Sequence, residues 1–95
     1  SFQRQYLKGM AHHLKPVVQI GKNGLTDQLL IAVDIALNTH ELIKIKFLDF
    51  QDHKKELFQE ITEKCHGEPV GLVGNVAILY RQQADLAKRK ITLPA

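Results

Sequence analysis

The sequence lacks the residues that build disulfide frameworks, zinc sites and membrane spans. It has one cysteine, Cys65, in 95 residues, and no Cys-x-x-Cys pair. A single cysteine excludes an internal disulfide and thiol exchange between paired cysteines. No apolar run approaches the roughly 20 residues that span a bilayer, and residues 1–10 lack the apolar core of a signal peptide. We therefore expect a cytoplasmic protein with no membrane contact.

Acidic residues are absent from the first quarter of the chain. Residues 1–26 contain no aspartate or glutamate, and most of the acids lie in residues 27–68. The cations of the first segment are Arg4, Lys8, Lys15 and Lys22. The net charge of +3 is modest, so the distribution is more informative than the total. It predicts one basic face.

The glycine-rich nucleotide motifs are absent as well. The sequence contains neither G-x-G-x-x-G nor G-x-x-x-x-G-K-[ST]. Its five histidines form no i, i+4 pair for a metal ion. His12 and His13 adjoin on a predicted helix and would point about 100° apart, so they should not form one site. We expect no enzyme activity, no cofactor and no metal site.

The most informative stretch is KPVVQIGKNGLT, residues 15–26. Its β-branched residues predict a strand that ends at Ile20, and Thr26 can cap a following helix. The loop between them, Gly21-Lys22-Asn23-Gly24, lets another molecule approach its N–H groups closely. The free N–H groups of the next helix also favour an anion such as a phosphate. A tight turn without a ligand is the commoner use of such a loop.

The first predicted helix, residues 2–14, has two chemically different sides. Its apolar residues Phe2, Tyr6, Leu7, Met10 and Leu14 recur at helical spacing. On the opposite side Arg4, Lys8 and His12 repeat every four residues, and Lys15 would join them if the helix continued. Because this stripe has no acidic partner, it is a candidate for phosphate contact as well as a solvated surface.

The order of the remaining elements predicts a single α/β domain spanning residues 1–95. Further helices are predicted over 26–38 and 52–66, and strands over 17–20, 42–48, 70–73 and 76–80. Strand, helix, strand implies a parallel pair with a right-handed crossover, and Gly74-Asn75 indicates a hairpin. The result is a four-stranded mixed sheet with helices packed upon it. Residues 82–95 form a basic tail that is either loosely ordered or pinned by its two aliphatic residues.

Individual side chains add expectations about the faces of these elements. Lys44 and Lys46 alternate with apolar residues in the second strand, where they either solubilise the sheet or extend the basic face. Ile31 and Ile35 lie off the main apolar face of the second helix. This predicts that the helix is covered on more than one side and that the first helix covers the side with Ile31 and Ile35. The third helix carries an acidic stripe, Glu56, Glu60 and Glu63, that should face away from nucleic acid. Cys65 belongs to its apolar side and should be a buried thiol.

Several runs of the sequence carry a family signature. They are Leu7-Lys8-Gly9, Ala11-His12, Leu14-Lys15-Pro16-Val17-Val18, Ile20-Gly21, Asn23-Gly24-Leu25-Thr26, His40-Glu41-Leu42-Ile43-Lys44 with Lys46, Leu79-Tyr80-Arg81, and Arg89-Lys90-Ile91 with Leu93-Pro94. Together they resemble the YhbY family, whose module is the CRM domain, for chloroplast RNA splicing and ribosome maturation. The match covers nearly the whole chain.

The resemblance implies an RNA-binding domain with a fold like the C-terminal domain of bacterial translation initiation factor three. It also implies association with precursors of the large ribosomal subunit (pre-50S) through ribosomal RNA. The GxxG loop, Gly21 to Gly24, would clamp a nucleic-acid backbone much as the loop of KH domains does. In KH domains that loop joins two helices, whereas here a strand precedes it, so the path of the RNA cannot be transferred.

The residue pattern and the resemblance together define the expected RNA interface. Its residues are Arg4, Lys8, His12, Lys15, Gly21, Lys22, Asn23, Gly24, Lys44, Lys46 and Arg81. Backbone N–H groups of residues 22–25 and these cations would bind phosphates with little base discrimination. Few aromatic residues are predicted to be free for stacking, so recognition by shape and charge is expected from a monomer. The alternative is a module that contacts a ribosomal protein or assembly factor, which exposure of Ile31 and Ile35 would favour.

Overall fold

The structure of the protein, a computed structural model, describes residues 2–93. Within them, three α-helices and four β-strands follow one another in the predicted order. They are α1 (Phe2–Ala11), β1 (Val18–Ile20), α2 (Asp27–His40), β2 (Leu42–Phe47), α3 (Lys54–Lys64), β3 (Glu68–Val73) and β4 (Val76–Tyr80). Single 3-10 turns precede α3 and follow β4, at Gln51–His53 and Leu86–Lys88. The part of the predicted tail at residues 94 and 95 lies outside the described residues.

The four strands form one mixed sheet in the order β1-β2-β4-β3, which confirms the predicted fold class. β1 is parallel to β2, and the other two pairs are antiparallel. Ile20 at the end of β1 lies opposite Phe47 at the end of β2. The loop that follows Ile20 therefore lies at the same end of the strands as the segment that follows β2. The turn of the β3–β4 hairpin lies at the same end of the sheet, because the Phe47 N–H donates to the Asn75 carbonyl at 2.8 Å.

Helices cover the sheet on both sides, and two separate cores result. The core beneath α2 and α3 contains Val33 and Leu37 of α2, Phe58 and Ile61 of α3, and the inward residues of β1, β2 and β4. The smaller core beneath α1 contains Leu7, Ala11, Leu42, Val70, Ile78, Tyr80 and Ile91. Below, "the α1 side" and "the α2–α3 side" denote the two faces of the sheet.

The predicted packing of α1 against α2 is wrong, because the sheet lies between them. The outward face of α2 therefore remains uncovered: Ile31 is 58% exposed and Ile35 is 59% exposed. The orientation of α1 also differs from the prediction. It buries only Leu7 and Ala11 against the sheet, whereas its other apolar residues, Phe2, Tyr6 and Met10, and Leu14 beyond its end are exposed.

Helix α3 ends in a Schellman motif whose left-handed residue is not a glycine. His66, not Gly67, takes the left-handed conformation, with φ 53°. The N–H of Gly67 donates to the Thr62 carbonyl at 3.0 Å, which closes the motif. The missing side chain of Gly67 serves packing instead, since a Cβ there would lie 2.8 Å from Cδ1 of Leu79.

The segment after β4 is fastened to the domain by a buried carboxylate. Glu41, at the C-terminal end of α2, is 1% exposed and has φ 63°. One of its oxygens accepts the N–H of Gln83 at 2.7 Å, and the other accepts the N–H groups of Lys90 and Ile91. Burial alone would raise the pKa of Glu41, but these three backbone hydrogen bonds and the Arg89 charge lower it below its ordinary value. Residues 82–93 are thus held against the α1 side, where Ile91 is buried.

Candidate nucleic-acid interface

The GKNG loop forms a tight turn at the end of β1. Its first and last residues are joined by a hydrogen bond from the Gly24 N–H to the Gly21 carbonyl, at 3.1 Å. Gly24 has φ +65°, which a residue with a side chain rarely adopts. Gly21 has a negative φ, and a Cβ built on it would meet no atom within 4 Å. The turn therefore needs glycine at Gly24, while Gly21 leaves an open approach to the backbone.

The loop offers three unused N–H donors. The prediction that all N–H groups of residues 22–25 could bind phosphate is wrong for Gly24, whose N–H closes the turn. Among the described residues, the N–H groups of Lys22, Asn23 and Leu25 have no internal acceptor. Consecutive free N–H groups in a turn form a concavity that suits an anion. The exposed Lys22 side chain adds a positive charge to it.

The N-terminus of α2 is less available than the sequence suggests. Thr26 caps it as predicted, and the Leu29 N–H donates to Thr26 Oγ1 at 3.0 Å. Asp27 occupies the first turn, where its carboxylate complements the helix dipole and repels a phosphate. The anion donors of this region are therefore the loop N–H groups and Lys22, not the helix end.

Lys44 and Lys46 lie on the α1 side of the sheet. Ile43, Ile45 and Phe47 belong to the opposite core, so alternation along β2 directs both lysines towards α1. Lys44 lines a groove together with Lys8 of α1 and His12 just beyond its end, and its Nζ donates to the Leu14 carbonyl at 3.0 Å. The exposed Lys46 pairs with Gln19, two residues before the GKNG loop. The sheet surface therefore connects the loop to the basic stripe of α1.

Gly71 in β3 makes room for this arrangement. A Cβ at Gly71 would lie 2.5 Å from Cε of Lys8. The aliphatic stem of Lys8 thus lies directly on the strand, in the way long cationic side chains often cover a surface while their charge stays in water. We call Lys8, His12, Lys44 and Lys46 together with the loop Gly21–Gly24 the basic surface.

Three predicted interface residues lie outside the basic surface. Lys15 lies on the other flank of α1, where it lines a groove with Met10 and Lys90, because the helix ends at Ala11. Arg4 lines a small cavity nearer the start of the helix, together with Glu68 and Tyr80.

Arg81 is on the α2–α3 side and has structural partners. Its guanidinium donates to the Asp34 carboxylate at 2.7 Å, the Cys65 carbonyl at 2.8 Å and the Asn38 side chain at 2.9 Å. It therefore joins α2 to the end of α3. These contacts engage its guanidinium within the domain. The thickness of the sheet separates Arg81 from the basic surface.

The acidic stripe of α3 lies on the side opposite the basic surface. Glu56, Glu60 and Glu63 are exposed there, and Glu60 forms an i, i+4 ion pair with Lys64 at 3.3 Å. The two faces of the domain therefore differ in charge, as the distribution of acids along the sequence predicts.

The histidines and the cysteine of the described residues form no metal-ligand cluster. Within 2–93, no three His, Cys, Asp or Glu side chains cluster as metal ligands. The side chains of His12 and His13 do not point apart as predicted, because α1 ends before them. Their rings meet edge to face, with centroids 5.2 Å apart. Cys65 is buried as predicted, and burial raises the pKa of its thiol. No helix in this part of the chain has the length and apolar character of a membrane span.

Sequence reasoning missed Phe50 beside the loop. Its ring lies beside Gly24, since a Cβ built there would lie 3.4 Å from Cε2 of Phe50. Phe50 lies in a short irregular segment after β2, where periodicity carries no signal. The left-handed φ of 56° at a bulky residue is a property of the structure that no local sequence pattern predicts.

Comparisons with known proteins agree on one family. The model of the CRS1 / YhbY (CRM) domain matches residues 1–81. A Haemophilus influenzae protein named RNA-binding protein is 42% identical over 93 residues, which cover 97% of this chain and 91% of that protein. The Bacillus subtilis protein YqeI, named a probable RNA-binding protein, is 30% identical over 93 residues, covering 97% and 95%.

The fold also matches a solved structure. The solution structure of the hypothetical protein SAV1595 from Staphylococcus aureus superposes with a TM-score of 0.80 at 35% sequence identity. The alignment covers 97% of this chain and 95% of that one. The similarity therefore extends over the whole domain, including the loop and both sides of the sheet.

Proposed function

Because the chain belongs to the CRS1 / YhbY (CRM) domain family, we propose that it binds ribosomal RNA of the large-subunit precursor through its basic surface. The observation that carries this proposal is the continuity between the GKNG loop and the cations of α1 and β2. Unused N–H donors at Lys22, Asn23 and Leu25 lie at one end of it. Lys8 and Lys44 flank a groove at the other end.

The chemistry of this surface suits the phosphate backbone. Backbone N–H groups and lysines bind phosphate oxygens and fix the register of a nucleic acid without reading its sequence. The groove between α1 and the β3–β4 hairpin is lined by aliphatic Val73, Val76 and Ile78 beside the cations, which fits the sugar edge of a structured RNA. Ribosomal RNA as the ligand and the pre-50S particle as the assembly are the parts of the proposal that come from the family resemblance.

Charge reversal on the two faces tests the proposal with a matched pair of variants. Lys8→Glu and Lys64→Glu both change the net charge by −2, but Lys64 lies at the C-terminal end of α3 on the other side of the sheet. We expect Lys8→Glu to weaken binding of a structured large-subunit RNA fragment roughly tenfold near 0.1 M salt and to lower the salt slope by about 1. Fluorescence anisotropy at several salt concentrations measures both quantities.

The control result decides whether one face is responsible. Lys64→Glu should keep the wild-type salt slope and bind within about twofold of wild type, because Lys64 lies at the end of α3 remote from the GKNG loop and salt screens exposed charges beyond a Debye length of about 8–10 Å. Equal losses in the two variants would show a nonspecific effect of net charge and would refute a single RNA-binding face.

The exposed face of α2 favours a second candidate function, contact with a basic protein of the same particle. Ile31 and Ile35 are adjacent on the outer face of the helix. Asp34 and the α3 acids Glu56 and Glu60 are exposed on the same side of the sheet. Asp34 already pairs with Arg81 and Glu60 with Lys64, so a basic, amphipathic protein segment would direct its cations to Glu56 and its apolar side chains to Ile31 and Ile35.

Cosedimentation with pre-50S particles distinguishes this candidate from RNA binding alone. The double variant Ile31→Ser, Ile35→Ser should bind the RNA fragment as wild type does and cosediment several-fold less with the particles. Leu86→Ser removes another exposed aliphatic side chain and should cosediment normally. Normal cosedimentation of the double variant would eliminate the protein contact.

A further inference from the structure

Phe50 is held beside the GKNG loop by backbone hydrogen bonds. The N–H groups of Leu48 and Asp49 both donate to the carbonyl of Ile20, at 2.9 and 3.2 Å. Ile20 is the last residue before the loop, so the segment after β2 is joined directly to the base of the loop. The distance between Phe50 and Gly24 is therefore fixed by main-chain geometry.

The conformation of Phe50 is unusual for its residue type. It has φ 56° and ψ 33°, in the left-handed region that favours glycine or asparagine. Its N–H donates to Asp49 Oδ1 at 2.9 Å, and its carbonyl accepts the His53 N–H at 2.9 Å. A bulky residue persists in this region only where surrounding contacts impose it, and such positions are frequent at ligand sites.

The ring contributes little to either core. Phe50 belongs to neither buried cluster and remains 37% exposed, although one edge lies against Gly24. A glycine or asparagine would make the same turn without the conformational cost. The combination of an unfavourable backbone, a partly exposed aromatic ring and a position beside a candidate phosphate site points to a ligand for the ring.

We propose that the Phe50 ring is a stacking platform for an unpaired nucleobase of the RNA that the GKNG loop holds. This inference rests on the proposed function. A phosphate bound to the loop N–H groups brings the base of a neighbouring nucleotide within reach of a ring that touches Gly24. Every base has a flat π face, so stacking on an aromatic side chain does not depend on sequence.

The charges around the ring favour a base over a phosphate as its occupant. Asp49 and Asp52 line the same shallow cavity as Phe50. Their carboxylates repel phosphate, and carboxylates accept hydrogen bonds from the exocyclic amino groups of adenine, cytosine and guanine. Uracil has no such group. The subsite should therefore prefer an amino-bearing base to uracil.

A fluorescent base analogue reports stacking separately from affinity. The probe is a short RNA stem with a single-stranded extension that carries 2-aminopurine, whose fluorescence changes when it stacks on an aromatic ring. The variants are Phe50→Leu, which keeps apolar cover over Gly24, and Phe50→Tyr, which keeps the ring. Lys22→Asp with Asn23→Asp is the loop variant that tests the proposed function in the same assay.

The expected results differ for each variant. Wild type and Phe50→Tyr should change the probe fluorescence, whereas Phe50→Leu should lose that change and bind about fivefold to hundredfold more weakly. The loop variant should bind more weakly than wild type both to the structured large-subunit RNA fragment and to the stem with the single-stranded extension. Replacing the amino-bearing bases of the single-stranded extension with uracil should weaken binding by wild type, and should weaken binding by Phe50→Leu less.

Two results would overturn the stacking platform. One is a fluorescence change in Phe50→Leu equal to that of wild type. The other is an equal loss of affinity in Phe50→Leu and Phe50→Tyr, which would mean that the native side chain only supports the loop. If either occurs while the loop variant still loses affinity, RNA binding at the basic surface stands without the platform. If the loop variant binds as wild type does, the proposed function fails as well.

Discussion

Replacing Glu41 with alanine is expected to lower the free energy of unfolding by about 3 kcal/mol, the largest effect on stability that we predict for one side chain. The carboxylate is buried and accepts the N–H groups of Gln83, Lys90 and Ile91. Removing it leaves three donors without acceptors, of which that of Ile91 is buried and those of Gln83 and Lys90 are partly buried, and the loss of each hydrogen bond costs on the order of 1 kcal/mol. Urea denaturation at pH 7, followed by circular dichroism, measures the change.

The matched control for this prediction is Glu60→Ala. Glu60 is also a helical glutamate, but it is exposed and forms only an i, i+4 pair with Lys64. Its loss should change the free energy of unfolding by no more than about 0.5 kcal/mol. A Glu41 variant that is no less stable than the Glu60 variant would refute the fastening of residues 82–93.

The pH dependence of stability provides a second test of the same carboxylate. The pKa of Glu41 is lowered in the folded protein, so the unfolded chain binds this proton more tightly. Its stabilising contribution is therefore complete above the unfolded pKa of about 4.3 and is lost as the pH falls through the lower folded pKa. Wild type should lose stability over this acidic range, and Glu41→Ala should lose correspondingly less.

Replacing Lys22 and Asn23 together with aspartate should weaken RNA binding by about a hundredfold near 0.1 M salt. The change adds two carboxylates and removes one ammonium group at the point where the loop N–H groups meet phosphate, and each lost phosphate contact costs roughly tenfold at this salt concentration. Both side chains are exposed, and aspartate is well tolerated in turns. The free energy of unfolding should therefore stay within about 0.5 kcal/mol of wild type.

Two further variants separate the loop from general effects of charge. Lys64→Glu with Gln59→Glu also changes the net charge by −3, but on exposed positions of α3, and should bind RNA nearly normally. Gly21→Ala changes no charge and meets no atom within 4 Å in the domain, so it should fold normally and weaken binding only by obstructing the approach to the loop. Equal loss in the α3 double variant, or no loss in the loop variant, would contradict the role of the loop.

The elements of the sheet were predictable because their signals are local. Alternation along β2 identifies its buried face, and Gly74-Asn75 marks the turn of the hairpin. The same alternation fixes the direction of Lys44 and Lys46. The sequence does not indicate which helix covers their side of the sheet, since strand order and crossover geometry decide that.

The orientation of α1 was not predictable from its periodicity. Five apolar residues indicate a broad apolar side, but only Leu7 of that set is buried, together with the small residue Ala11. A small residue lets the helix approach the sheet closely, and the sheet itself offers Gly71 as space for Lys8. Such complementarity involves residues more than 60 positions apart and leaves no local trace.

Long-range partners also determined the residues whose roles were missed. Glu41 falls within the family signature, but its hydrogen bonds reach residues 42 to 50 positions away. Arg81 was expected at the RNA interface, and contacts with Asp34 and Asn38 give it a structural position. The role of Phe50 is indicated only by its backbone conformation and its position beside Gly24.

The most direct test of RNA binding at the basic surface is an amide NMR titration of the domain with a structured large-subunit RNA fragment. Binding at this surface predicts that the largest shifts occur at Lys22, Asn23 and Leu25 and along the exposed side of α1. The N–H signals of Glu56, Glu60 and Glu63 on α3 should move little. Shifts centred on α3, or spread evenly over both sides of the sheet, would contradict it.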